Sequence, residues 1–263
     1  MAIRKQVIRA YIRANNRYED ALAGKVRGML DQSIADILSE LGRRPSEWRT
    51  QYLEELLARS REQLAKVQPK IQSAMDAGAS HAIIQATGIV KATGAASVLL
   101  RGQVGVDPHL LRSLAAYRAD LITGVTDAAK NQVTSIVRRS MLTGQNLLDV
   151  EKQIGSAVDA KGAFKSIGAR AETIVRTEYR HVLGEAGQAG LREASEDVQG
   201  LKKEWLTAED DRVRESHAEA NGQVVGVDEP FIVGGEELMY PGDPAGSPEN
   251  VCNCRCVSIP AVE

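Results

Sequence analysis

The sequence is poor in large rings: of its 263 residues, two are Trp, six Tyr and two Phe. A core built on aromatic contacts is excluded, and aliphatic and small side chains must do the packing. No one charge sign dominates either. Lys+Arg 33 against Asp+Glu 35 leaves a net charge of −2, which excludes an overall nucleic-acid coat or a polyanion mimic, though not a local patch. No run reaches the roughly 18 apolar residues of a membrane span, so no membrane partner is expected. Residues 1–17 alternate apolar and basic side chains without the continuous apolar stretch of a signal peptide. Cysteine occurs only as Cys252, Cys254 and Cys256. An odd, clustered set argues against a secreted disulfide framework and for a reduced compartment. The hydrophobic share of 43% is that of an ordinary folded chain.

Proline is scarce where helices could run and frequent where they could not. Only Pro45, Pro69 and Pro108 precede residue 230, whereas Pro230, Pro241, Pro244, Pro248 and Pro260 crowd the end. The near-neutral total also hides a gradient. Residues 201–263 hold five basic and thirteen acidic side chains, leaving residues 1–200 with 28 basic and 22 acidic ones. A mildly basic front thus joins an acidic tail near Gly200.

The front reads as helix. From Ile3 to about Leu41, Val7, Tyr11 and Tyr18 lie on one side, continued by Leu22, Val26 and Leu30. Arg9, Arg13 and Arg17 recur every four residues beside that stripe. They are either a solvated face or a docking patch for an acidic protein surface or phosphate. Ser46 can cap a second helix to about Val67, carrying Trp48, Leu57 and Leu64, with Pro69 breaking it. Small residues follow (Ala74, Ala77, Gly78, Ala79, Ala82, Ala86) and allow close helix approach, and His81 among them reads as a packing residue. Asp107-Pro108 starts a further helix through Val125, Val133 and Val137, closed by Gly144. Asn146 caps a short one ending near Ile154, and a loop over residues 155–168 follows. The next helix carries Ile167, Ala171, Ile174, Val175 and Val182, with Glu178 on the same stripe. A buried carboxylate needs a partner, and Arg214 or His217 is expected to supply it, locking helix to tail.

After Gly200 the period changes to short strands at Lys202–Leu206, Val224–Val227 and Phe231–Val233, with an Asn221-Gly222 turn. Thr207 with Asp210 resembles a capping box for a helix from Ala208 to about Ala220, placing Asp210, Arg214 and His217 on one face. The fold expected is α+β: an extended, mainly helical N-terminal part followed by a small β-rich C-terminal module. Its parts are 1–141, an elongated helical region, 142–200, further helices, and 201–263, the small α+β module.

The tail reads Trp205-x-Thr207-x-x-Asp210-Asp211-x-Val213-Arg214-x-x-His217, then Gly222, Phe231, Tyr240-Pro-Gly-Asp-Pro and Asn253-Cys254-Arg255-Cys256, with Arg176-Thr177-Glu178 upstream. Over roughly Leu142–Ile259 this ordered series resembles the phage Mu F-like head morphogenesis family, the minor head proteins of tailed phages. The resemblance implies a few-copy protein at the portal, inside the head, assembled in the host cytoplasm and needed for procapsid assembly, with a role in DNA packaging or ejection proposed for some members. The implied partners are the portal protein, major capsid or scaffolding protein, and phage DNA. Some relatives carry a toxin or transferase domain after this module, and none is expected here.

Two chemistries remain open on the residues themselves. Cys252, Cys254 and Cys256 with His217 have the donor types of a structural zinc site. On a regular strand, alternate residues stand roughly 6.5 Å apart, too far for one ion unless the backbone bends; the alternative is three small buried hydrophobes. Asp210, Asp211, His217 and Glu178 could form a metal-dependent nuclease or hydrolase, yet Arg212 and Arg214 among them favour ion pairing. With no G-x-S-x-G, phosphate loop or H-E-x-x-H in the chain, no enzyme is expected.

Overall fold

The computed structural model of the chain describes residues 2–42, 50–92, 108–143, 152–154 and 167–261. Four long helices come first: α1 (Ala2–Gly42), α2 (Thr50–Ala92), α3 (Pro108–Thr143) and α4 (Ile167–Asp197). Short elements follow: β1 (Lys202–Leu206), α5 (Glu215–Ala220), β2 (Val224–Gly226), β3 (Phe231–Val233), β4 (Glu236–Leu238), α6 (Pro248–Val251) and β5 (Val257–Ala261). The architecture is α+β, a mainly helical N-terminal part and a small antiparallel sheet region. Ser46, Trp48, Asp107, Gly144, Asn146 and the loop over 155–166 lie outside the described residues.

Helix α1 buries Ile8, Ile12, Asn15, Glu19, Leu22, Val26, Leu30 and Ile37. Their spacing alternates mostly between three and four, as a packed helix requires. The stripe expected from Val7 begins one residue later, and Val7 is 42% exposed. Ile8 and Ile12 outcompete it because they share a face with Asn15 and Glu19, which have buried partners. The expected break at Pro69 is absent: the proline sits inside α2. An interior proline costs about 3 kcal/mol. Val67, Ile71, Ala74 and Met75 around it are all buried, and at about 1.5–3 kcal/mol for a large apolar side chain that burial outweighs the loss. The small residues of α2 do admit close approach. A Cβ on Gly88 would come within 3.1 Å of the Tyr11 ring.

The chain divides into two compact units. One comprises Leu22–Met75 and Ala116–Ile174. Its core is aliphatic, with Val26, Leu30, Leu57, Leu64, Ile71, Val125, Val133 and Val137 buried. Polar links cross its helices at Arg27 Nη1–Glu172 Oε1, 3.0 Å, and at Gln68 Nε2, which donates to Thr123 Oγ1 at 2.9 Å.

The other unit comprises Met1–Ala21, Asp76–Ala115 and Val175–Glu263. Its three-stranded antiparallel sheet has the order β2-β1-β5, with Lys203 opposite Val225 and Pro260. A second sheet pairs β3 with β4 across Gly234-Gly235, both at positive φ. Trp205, Phe231, Val233, Leu238, Cys254 and Cys256 form one apolar cluster. Val90, Leu191, Ala194, Leu201 and Val227 form another, joining α2, α4 and the tail. Helix α4 lies so close to the Tyr240-Pro-Gly-Asp-Pro loop that a Cβ on Gly184 would stand 2.6 Å from the Pro241 carbonyl oxygen. Asp243 shapes that loop by accepting from the backbone N–H of Met239 (2.8 Å) and of Ala245 (2.9 Å).

Two buried cations anchor this unit. Arg180 on α4 donates from Nε to Glu19 Oε2 on α1 at 2.5 Å and from Nη2 to Asn16 Oδ1. Removing one partner of such a pair strands the other charge. Arg180→Ala should therefore lower stability by about 3–5 kcal/mol, read as a shifted urea midpoint. Lys203, fully buried, donates to Met239 O at 2.8 Å and Gln188 Oε1 at 3.2 Å, and its Nζ stands 5.1 Å from the centre of the Phe231 ring. Burial lowers its pKa to about 8. An unfolded lysine titrates near about 10.4, so between those values the folded chain has shed a proton that the unfolded chain keeps. Stability should rise as pH is raised through that window, and Lys203→Met should abolish the rise in denaturation midpoints taken across it.

Candidate functional site

The side chains singled out in the tail gather around α5 and the turn at residues 252–256. The capping box does not form. Thr207 gives its N–H and Oγ1 to Asn221 Oδ1 at 3.0 and 3.2 Å, and Asp210 bonds elsewhere, so the helix starts only at Glu215. Asp210 is off α5; its Oδ1 accepts from Arg212 N at 3.0 Å and both its oxygens accept from the Arg255 guanidinium, Nη2 to Oδ1 at 2.6 Å. Asp211 is exposed. Arg214 donates to the Cys252 carbonyl oxygen.

His217 is 2% exposed on α5 and stands at right angles to the Trp205 ring, 5.6 Å between centroids. Its Nδ1 lies 3.4 Å from Cys256 Sγ and 3.8 Å from Cys254 Sγ. The three donor atoms all fall within 4.8 Å of one another, and among the described residues they are the one His/Cys/Asp/Glu group with metal-holding geometry. The strand objection does not hold, because Cys254 and Cys256 precede β5 and Asn253 bends the chain at φ 55°. Cys252, at the C-cap of α6, is half-buried and outside the trio. The hydrogen bond from Cys256 and the nearby imidazole hold the Cys254 thiol well below the usual range. The bond to Cys254 and burial push Cys256 well above it.

The upstream motif acts one residue at a time. Arg176 Nε pairs with Asp20 Oδ1 at 3.2 Å, and Thr177 Oγ1 accepts from Asn253 N at 3.3 Å. Glu178 is buried as expected, 4% exposed, but its neighbour is His181, with Oε2 3.9 Å from Nδ1. The expected lock to Arg214 or His217 is not formed, since those side chains serve the Cys252 carbonyl and the thiols. Thr177 joins α4 to the tail instead, through Asn253, while Arg180 joins α4 to α1. The carboxylates proposed for a hydrolase are thus dispersed. Of the arginine stripe, Arg9 Nη2 pairs with Glu209 Oε1 at 2.5 Å while Arg13 and Arg17 are exposed. His81 is a packing residue: Tyr18 stacks on it at 3.6 Å, and its Nδ1 lies 2.9 Å from Tyr179 OH.

Arg180, Glu19 and Lys203 were missed by motif reading. Glu19 had a readable signal, since it falls three residues before Leu22 and four after Asn15 on the buried period of α1.

The Asp210–Arg255 pair carries a pH signature. The hydrogen bond from Arg255 holds the Asp210 carboxyl below its usual range. Its contribution is therefore present above the unfolded value of about 3.9 and is lost as pH falls through the lower folded value. Because the carboxyl is one-third exposed, Asp210→Asn should cost only about 0.5–1 kcal/mol at neutral pH. It should also flatten the acid limb of melting temperature against pH.

Residues 131–259 match the family model described as Phage Mu protein F like protein. The NAD(+)–arginine ADP-ribosyltransferase EFV of Enterococcus faecalis is 30% identical over 155 residues, 59% of this chain and 29% of that protein. An uncharacterised protein of Haemophilus influenzae is 28% identical over 179 residues, 64% of this chain and 35% of its own length. The minor head protein GP7 of Bacillus phage SPP1 is 25% identical over 135 residues, 51% of this chain and 41% of that protein. The chain therefore spans less than half the length of each of these relatives. No solved structure matches the chain at a significant level. Over residues 131–259, about half of its length, the chain is similar to the Phage Mu protein F like family.

Proposed function

We propose that this protein is a minor head protein of a tailed phage, working in head morphogenesis inside the virion, at the portal, during procapsid assembly. The observation that carries the reading is the family match over residues 131–259, joined by the likeness to the SPP1 minor head protein. The structure is compatible with a role in assembly rather than catalysis. Among the described residues, the motif side chains are largely committed to holding the module together: Arg255 to Asp210, Arg214 to a carbonyl, Thr177 to a backbone N–H. The transferase likeness covers 29% of that enzyme, and its activity is a statement about that protein. No helix among the described residues is long and apolar enough to cross a membrane.

The docking patch on α1 is Arg13 and Arg17, exposed on the helix that buries Ile8, Ile12 and Glu19 on its other side. Portal, capsid, scaffolding protein and DNA all offer acidic groups to such a patch, and a protein surface is the reading preferred here. Deleting residues 1–20 would remove core residues along with the patch, so charge reversal is the cleaner test. Tagged protein co-expressed with the phage's portal should co-purify with it, and Arg13→Glu with Arg17→Glu should weaken that association about tenfold without lowering the melting temperature. Absence of wild-type protein from portal preparations would contradict the proposal. Unchanged portal binding with lost DNA retention would reassign the patch to DNA.

A further inference from the structure

We propose that His217 Nδ1, Cys254 Sγ and Cys256 Sγ form a binding site for a soft divalent cation, zinc by its ligand chemistry, which ties α5 to the turn at residues 252–256. Zinc–sulfur bonds of about 2.3 Å and zinc–nitrogen bonds of about 2.0–2.1 Å at a tetrahedral angle place S and N about 3.6 Å apart. The two observed S···N separations, 3.4 and 3.8 Å, bracket that value. All three side chains are nearly inaccessible to solvent, at 1–4% exposure.

The imidazole makes the case beyond donor spacing. A buried polar ring needs strong partners. His217 Nε2 has none, and Nδ1 meets only the two sulfurs, which are weak acceptors. A buried hydrophobic cluster would not require a histidine there, and a Cys254–Cys256 disulfide would leave it still less satisfied. An ion on Nδ1 fixes the tautomer and uses both sulfurs. Its entry releases whatever protons the two thiols carry, leaving two thiolates and one divalent ion electrically balanced. The two halves of the site come from segments far apart in the chain: α5 precedes β2, and the Cys-x-Cys turn leads into β5. Cys252 lies outside the trio and is not assigned as a ligand.

The full chain, purified under reducing conditions, should carry about one equivalent of zinc by elemental analysis. Exchange with cobalt(II) should give a thiolate-to-cobalt charge-transfer band and intense tetrahedral absorption in the visible. Chelator should lower the melting temperature reversibly. Cys254→Ser and Cys256→Ser should lose the cobalt spectrum, whereas Cys252→Ser should keep it. The wild-type measurement does not depend on any variant folding. Folded wild-type protein with less than about a tenth of an equivalent of metal and no cobalt spectrum would overturn the site. Loss of the spectrum in Cys252→Ser alone would overturn the ligand assignment.

Discussion

Arg180 holds a full charge at 1% exposure, and the C-terminal unit is arranged around keeping it there. Desolvating a guanidinium is tolerable only with a counter-charge and further hydrogen bonds. Glu19 and Asn16, more than 160 residues earlier in the chain, supply them. The carboxylate feels the same constraint, and burial raises its pKa despite the arginine beside it. Neither partner is stable without the other, so the first turns of α1 are part of the unit's interior. Helix α4 carries the rest of the assembly on the same side, at helical spacing. Thr177 accepts from Asn253, Gly184 admits the Pro241 carbonyl, and Gln188 Nε2 donates to Val227 O at 2.7 Å while its Oε1 receives Lys203.

The family match begins at residue 131, yet the compact unit holding the tail also includes residues 1–21 and 76–115. The segment that carries the family motifs is therefore not a free-standing tail. Its outer surface includes Arg13 and Arg17 because α1 contributes its inner surface to the core. The docking patch proposed for Arg13 and Arg17 sits on an internally anchored helix, so binding there would forfeit little conformational entropy.

What was legible in the sequence depended on locality. Strand β1 falls at Lys202–Leu206, where alternation and a central Trp205 placed it, and α1 runs within a residue of its expected ends. These are decided by period and by the absence of proline. Pro69 misled because local propensity is a weak prior once Val67 and Ile71 are buried on both sides. Thr207 misled because its side chain found Asn221, fourteen residues away, instead of the helix start. The site was legible in composition but not in membership. His217 and the cysteines stood out as donors, while the bend at Asn253 that brings two thiols together and leaves Cys252 aside is a backbone event. Pairings across the chain, Arg180 with Glu19 above all, have no local signature beyond a charge on a buried period.

The claim on which the account rests is that the family segment needs α1 to complete its core. Hydrogen exchange of the β1 and β5 amides tests it directly, comparing the full chain with residues 131–263 expressed alone. The account predicts that protection of the Trp205–Ser258 and Lys203–Pro260 region falls about a hundredfold or more in the isolated segment. Equal protection in the two proteins would contradict it.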